Sequence, residues 1–152
     1  RFSKNKAPYK TNLGASINAG GKKAVNAGYY IHVQPGGESF LAGGIWMPEK
    51  DELKKIRQEI AYNTDDFKKI LSEKKFKKIY NGLDESKEYK LARPPKGYEK
   101  DHPAVELLKF NSYIVWTQYS DKDVTAKNFL KKVADDAKVM MPLIQFLNTA
   151  LD

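Results

Sequence analysis

The chain has 152 residues, is 41% hydrophobic, contains no cysteine and carries a formal net charge of +8. A chain of this length can build a core of its own, and the lack of cysteine excludes disulfides, thiolate nucleophiles and cysteine-bound zinc. No run approaches the roughly 20 apolar residues that cross a bilayer, so we expect no membrane span. The length predicts a single domain over residues 1–152, and the lack of cysteine fits a cytoplasmic protein.

The sequence predicts four β-strands. Apolar and polar residues alternate over 12–18, and the stretches 28–34 (GYYIHVQ) and 40–47 (FLAGGIWM) flank turn residues, so 28–47 is typical of a hairpin. The β-branched and aromatic stretch 111–119 (NSYIVWTQY) predicts a further strand.

The hairpin also carries two finer signals. Its first strand places Tyr29, Ile31 and Val33 on one face, and Tyr30 and His32 on the other. In its second strand, the pair at 43–44 is Gly-Gly, which indicates a bulge or the close approach of another group.

Helices are predicted in three places. Apolar residues at helical spacing predict three helices between Pro48 and Tyr80, and the tripeptide 101–103 (Asp-His-Pro) is a helix-start signal. A long amphipathic helix is predicted from about 120 to 151, kinked near Pro142. The order of elements predicts an α+β fold, with an antiparallel sheet and helices packed on one face.

The charge is unevenly distributed along the chain. Residues 1–48 hold six Lys or Arg against one acid, Glu38, and eight of the ten glycines. A positive, glycine-rich surface attracts anions, so we expect a binding site for a small anionic, phosphate-bearing ligand in this third of the chain.

The two histidines support an alternative hypothesis, a hydrolase- or transferase-type enzyme. His32 lies on a predicted strand face, and His102 follows Asp101 at a predicted helix start. Either histidine could serve as an acid–base group if a carboxylate or carbonyl orients it, with Asp101 as a third candidate catalytic residue. A hydrogen-bonded structural histidine is the competing interpretation of His32, and a capping pair that of Asp101 and His102.

Other partners are less well supported. Basic residues interleave with Tyr29, Tyr30 and Trp46, but no single-strand nucleic-acid motif is present, so nucleic acid is an unlikely partner. The histidines lie too far apart in sequence for a paired metal motif, and no cofactor fingerprint occurs. We therefore expect neither a metal nor a cofactor. The sequence does not indicate an oligomeric state.

Three stretches resemble a known family when taken together. They are 1–17 (RFSKNKAPYKTNLGASI), 27–49 (AGYYIHVQPGGESFLAGGIWMPE) and 93–109 (RPPKGYEKDHPAVELLK). The chain resembles the bacterial proteins grouped as domain of unknown function 2461, and the resemblance runs across essentially its whole length.

The resemblance implies that a largely helical segment precedes Arg1 in family members, so that this chain corresponds to their C-terminal bulk. An apolar surface left by that segment supports a third hypothesis, a protein-interaction domain. The resemblance implies no catalytic assignment. Family-like polar positions and the basic charge together predict these ligand-binding residues: Arg1, Lys6, Tyr9, Lys10, His32 and Lys96.

Overall fold

The computed structural model of the protein describes residues 10–21 and 23–152. Its sheet has four antiparallel strands in the order of the chain, β1 (Leu13–Asn18), β2 (Gly28–Val33), β3 (Ser39–Ile45) and β4 (Tyr113–Tyr119). The predicted α+β class, the hairpin and the two flanking strands are confirmed.

Six helices complete the described fold. The first three follow β3 directly, a short one precedes β4, and two follow it: α1 (Lys50–Tyr62), α2 (Thr64–Ser72), α3 (Lys74–Tyr80), α4 (Val105–Leu108), α5 (Asp121–Thr125) and α6 (Phe129–Leu151).

The core lies between one face of the sheet and the helices. Strand periodicity sends alternate side chains to this face, where Leu41 and Ile45 of β3 and Tyr113 and Val115 of β4 are buried. The buried side of α6 packs against them with four residues, Met140, Leu143, Ile144 and Leu147. The prediction that helices cover one face of the sheet is therefore confirmed.

Two tyrosine hydroxyls anchor α6 at the edge of the core. The hydroxyl of Tyr119 donates to Oδ2 of Asp136 at 2.7 Å, and the hydroxyl of Tyr80 donates to the Asp136 carbonyl. Burial raises the pKa of both phenols, and the nearby Asp136 charge raises them further. Both tyrosines therefore remain neutral donors, which is the state their hydrogen bonds require.

The glycine pair in β3 serves two different contacts. A Cβ added to Gly43 would lie 2.0 Å from Sδ of Met140, so this glycine allows α6 to approach the sheet closely. Gly44 has a φ of +116°, and a Cβ there would lie 1.9 Å from the carbonyl oxygen of Tyr113. The β3–β4 register continues through both residues without an inserted one, so close approach, and not a bulge, explains the pair.

The C-terminal helical region differs from its prediction in two respects. Residues 126–128 separate α5 from α6. Helix α5 begins with a capping box of Ser120 and Asp123 and ends at Thr125, where the backbone of Ala126 becomes extended. Leu130 follows the apolar spacing that predicts an inward face in this region, yet it is 82% exposed. Pro142 lies inside α6, which continues unbroken through it.

The helix after the start signal at 101–103 begins later than this signal predicts. Helix α4 begins only at Val105, and no side chain caps it. Nδ1 of His102 accepts a hydrogen bond from the N–H of Ala104 at 3.0 Å, so His102, and not Asp101, satisfies this turn. This side-chain contact lies in the turn immediately before α4.

Strand β1 forms an edge of the sheet that the helices leave uncovered. Leu13 is 72% exposed and Ile17 63% exposed, although their register opposite Val33 and Tyr29 places them on the helix side of the sheet.

Within the described part of the chain, no helix is long and apolar enough to cross a membrane.

We expect replacement of Gly44 by alanine to destabilise the fold by about 3 kcal/mol, because the new Cβ collides with backbone and the φ is left-handed. Gly36 is the matched control, since its φ is +88° but nothing lies within 4 Å of an added Cβ. Gly36→Ala should cost only about 1 kcal/mol in urea unfolding. Equal losses in the two variants would contradict the close approach at Gly44.

Candidate functional site

The face of the sheet opposite the helices forms an open groove of about 880 Å³, which we call the open-face groove. The outward residues of β2, β3 and β4 line it, and so do residues of the segment between α3 and α4. It lies on the opposite side of the sheet from the core, so its outward side chains do not have to pack against the helices.

Small residues form the floor of the groove. Ala42 lies in register between Tyr30 of β2 and Trp116 of β4. In the next row, Gly28 pairs with Gly44. Because these side chains are a methyl group or a hydrogen, the floor is recessed between larger neighbours on both sides.

One wall is a group of three adjacent rings, Tyr30, His32 and Phe40, which we call the ring cluster. The His32 ring is stacked with each of the other two, which are tilted relative to each other. The hydroxyl of Tyr30 lies 3.1 Å from Nδ1 of His32, and Oε1 of Gln34 lies 2.9 Å from Nε2. The amide oxygen can only accept, so Nε2 carries the proton and Nδ1 accepts from the Tyr30 hydroxyl. His32 is therefore oriented by neutral partners.

The opposite wall is Trp116, whose side chain is 46% exposed. Its indole Nε1–H donates to Oδ2 of Asp84 at 3.2 Å. The other carboxylate oxygen of Asp84 accepts from the backbone N–H of Ser86 at 2.9 Å and from its hydroxyl. These bonds fix the plane of the indole and leave a face of it open to solvent.

A second tryptophan stands at the end of the groove. Trp46 follows β3, is 68% exposed, and donates its Nε1–H to the hydroxyl of Tyr89 at 3.3 Å. Its neighbour Met47 has a positive φ of 46°, and the N–H of Met47 donates to Oγ of Ser112 at 2.8 Å. A left-handed methionine is strained, so the chain beside Trp46 is held in an unfavourable conformation by this contact.

The charged residues that line the groove are both acids. Asp84 lies beside Trp116, and Glu38 lies in the turn between β2 and β3. Over residues 10–21 and 23–152, no lysine or arginine lines the groove. The side of the site that the structure describes is therefore aromatic and weakly acidic, although the whole chain is basic.

The predicted site residues do not all meet in this groove. His32 lines it, whereas Lys10, Lys96, Asp101 and His102 are not among its lining residues. Lys10 and Lys96 are exposed. Arg1, Lys6 and Tyr9 lie outside the described residues.

His102 lies in the turn before α4. Its ring packs edge-on against Tyr98 at a centroid distance of 5.7 Å. A smaller cleft of about 280 Å³ adjoins this region and contains Arg93, Lys100, Lys109 and Glu106. Lys109 pairs with Glu106 at 2.8 Å, so part of the positive charge of this cleft is neutralised.

The described residues offer no obvious metal site. Among them, no three or more histidine and acidic side chains come together in a way that could hold a metal ion. Neither histidine makes a hydrogen bond or ion pair with a carboxylate within this part of the chain.

Two residues of the groove, Trp116 and Asp84, are not predicted from the sequence. Trp116 lies in an uninterrupted apolar run, 113–116 (YIVW), which hides the alternation that would have assigned it to the open face. Asp84 follows α3 in a polar stretch without periodicity, and it is brought to Trp116 when its N–H donates to the carbonyl of Ile114 at 2.8 Å. No local pattern encodes that long-range contact.

The fold and the groove together define an α+β domain with an open aromatic sheet face. The chain belongs to the family described as conserved hypothetical protein (DUF2461), whose model matches residues 1–146. The resemblance noted in the sequence is thereby confirmed. No curated protein and no solved structure matches the chain.

Trp116 and Tyr113 lie on opposite faces of β4, which allows a matched test of the groove. We expect Tyr113→Ala to cost about 3–5 kcal/mol of unfolding free energy, because Tyr113 is fully buried. Trp116→Ala should cost less than about 2 kcal/mol, because the indole is half exposed. Urea unfolding followed by circular dichroism measures both, and a larger loss at Trp116 would show that the groove belongs to the core.

Proposed function

We propose that the protein is a binding domain, and that its open-face groove holds a small molecule by a planar ring. The observation that carries this proposal is the pair of exposed indoles, each held by a hydrogen bond from its Nε1–H beside a recessed floor. Exposed tryptophans with fixed ring planes are suited to stacking, because little side-chain freedom is lost on binding.

The dimensions of the groove support a ligand of this kind. Its volume of about 880 Å³ lies within the range of small-molecule sites. Strands β2 and β4 are two strand spacings apart, about 10 Å, with only the methyl group of Ala42 between them in the Tyr30–Trp116 row. A single flat ring therefore has room above Ala42, between the ring cluster and Trp116.

Binding is better supported than catalysis. A carboxylate both orients a catalytic histidine and stabilises its charged form, whereas the amide carbonyl of Gln34 orients His32 without supplying a charge. Within the described residues, the ring nitrogens of His32 contact Tyr30 and Gln34, and Nδ1 of His102 contacts a backbone N–H. In the groove, His32 supplies a flat aromatic wall and a polar edge.

A phosphate on the ligand is a finer proposal, and the basic first third of the chain supports it. Residues 1–48 carry a net charge of +5, from six basic residues and one acid. Lys10 precedes β1 at the end of the sheet where Leu13 pairs with Val33. A comparison of a nucleoside with its 5′-phosphate tests this point, because tighter binding of the phosphate would place cations within reach of the groove.

We expect Ala42→Leu to abolish binding in the groove. A ligand is first found by a thermal-shift screen of the wild-type protein with nucleosides, nucleotides, phosphosugars and other ring compounds. In the variant, the leucine side chain fills the space above the floor that this ligand would occupy. At a hundredfold excess over Kd, a ligand stabilises the wild type by about 2.7 kcal/mol, a shift that Ala42→Leu should remove.

Ala134→Leu is the control for this experiment, because it adds the same side chain at an exposed position on α6. It should bind like the wild type. If Ala42→Leu folds and also binds like the wild type, the ligand site is elsewhere.

A protein-interaction function is a second candidate, supported by the uncovered face of β1. Strand β1 (LGASIN) contains no charged residue and no proline, the features that usually protect an edge strand from pairing. If two copies pair through this edge, sedimentation velocity should detect a dimer that Ile17→Lys converts to a monomer. Monomeric wild-type protein at the same concentration would count against this candidate.

A further inference from the structure

We propose that the Asp84 end of the open-face groove binds an organic cation, an alkylated ammonium group, against the faces of Trp46 and Trp116. This inference rests on the proposed function, because it names a charged group that the ligand carries at the Asp84 end of the same groove, beside the stacked ring. It is carried by charge and ring geometry at that end of the site.

Asp84 places a carboxylate at the wall of the groove. Its carboxylate accepts hydrogen bonds from the indole of Trp116 and from Ser86, which are all neutral donors. Within residues 10–21 and 23–152, it forms no ion pair. A carboxylate held in one orientation by neutral donors attracts a cation without first having to release another.

Lys90 lies in the same segment of the chain but does not neutralise Asp84. Its ammonium group contacts Glu85 at 2.7 Å and Glu106 at 3.4 Å, and it lies 5.1 Å from the centroid of the Phe110 ring. Lys90 is thus directed to other acids, and the negative charge of Asp84 is left for the groove.

The two indoles supply the second half of the recognition. The face of a tryptophan ring is the most favourable aromatic surface for a cation, because its quadrupole is negative above the ring. Trp46 and Trp116 are both exposed, and each directs its Nε1–H to a fixed acceptor. The polar Nε1–H of each ring is thereby occupied, so the exposed remainder of each ring offers a ligand aromatic surface.

An alkylated ammonium group suits this site better than a bare ammonium ion. Alkyl groups spread the charge over a larger apolar surface and weaken hydration, so less free energy is lost when water is removed at the ring faces. A neutral polyhydroxylated ring would also stack on tryptophan, but it would gain little from the charge of Asp84. The charge dependence of binding therefore separates the two ligand classes.

The experiment compares choline with 3,3-dimethylbutan-1-ol, its neutral isostere, in tryptophan fluorescence titrations. The chain has two tryptophans and both line the groove, so the signal reports this site. We expect choline to bind about tenfold more tightly than the isostere, and choline binding to weaken as salt is added while that of the isostere does not.

Asp84→Asn removes the charge while its amide oxygen can still accept from Trp116. This variant should bind choline about as weakly as the isostere. Asp65→Asn removes one charge from an exposed position on α2, in the helix layer, and should bind choline like the wild type. Trp116→Leu should lose choline binding, whereas Trp116→Phe, which keeps a ring, should retain most of it.

The possible failures are distinguishable. Titrations of the wild-type protein alone can overturn the cation proposal. Equal affinity for choline and its isostere, or choline binding that does not depend on salt, would do so. If neutral ring compounds bind in the groove and choline does not, the cation proposal fails and the proposed function stands. If no compound of either class changes the tryptophan signal, both fail.

Discussion

The contact between α6 and β3 at Gly43 is the constraint on which the rest of the structure depends. The side chain of Met140, which is fully buried, occupies the space beside Gly43, so that a Cβ added there would lie 2.0 Å from its sulfur. This contact fixes one face of β3 against the core. Because strand side chains alternate, Phe40, Ala42 and Gly44 must then face the other way. The floor of the open-face groove is therefore a consequence of how the core is packed.

The same strand thus packs into the core on one face and forms the floor of the open-face groove on the other. The described helices cover only the core side, so the large rings on the open face, Tyr30 and Trp116, remain accessible. The two indoles donate hydrogen bonds to Tyr89 and Asp84 in the segment between α3 and α4, which keeps them in place without burying them. This arrangement explains how a small domain can present several aromatic side chains to solvent in fixed positions.

Much of the fold was predictable because its signals are local. The alternation in 28–34 correctly separated Tyr29 and Ile31 from Tyr30 and His32, and the glycine pair correctly indicated a close approach. The groove was only partly predictable. His32 was found from its strand face, but Asp84 reaches Trp116 across 32 positions, which no period encodes. The uneven charge favoured basic residues as the ligand-binding site, but Lys10 and Lys96 do not line the groove.

The most direct test of the central claim is an NMR titration with phenyltrimethylammonium, which combines a planar ring with an alkylated cation. The protein has two tryptophans, so it gives two indole N–H signals, and both report the open-face groove. We predict saturable shifts of both indole signals, with the amide signals of Ile56 and Phe67 in the helix layer unchanged. Saturable shifts confined to the helix layer, with both indole signals unmoved, would contradict the assignment of the groove as the ligand site.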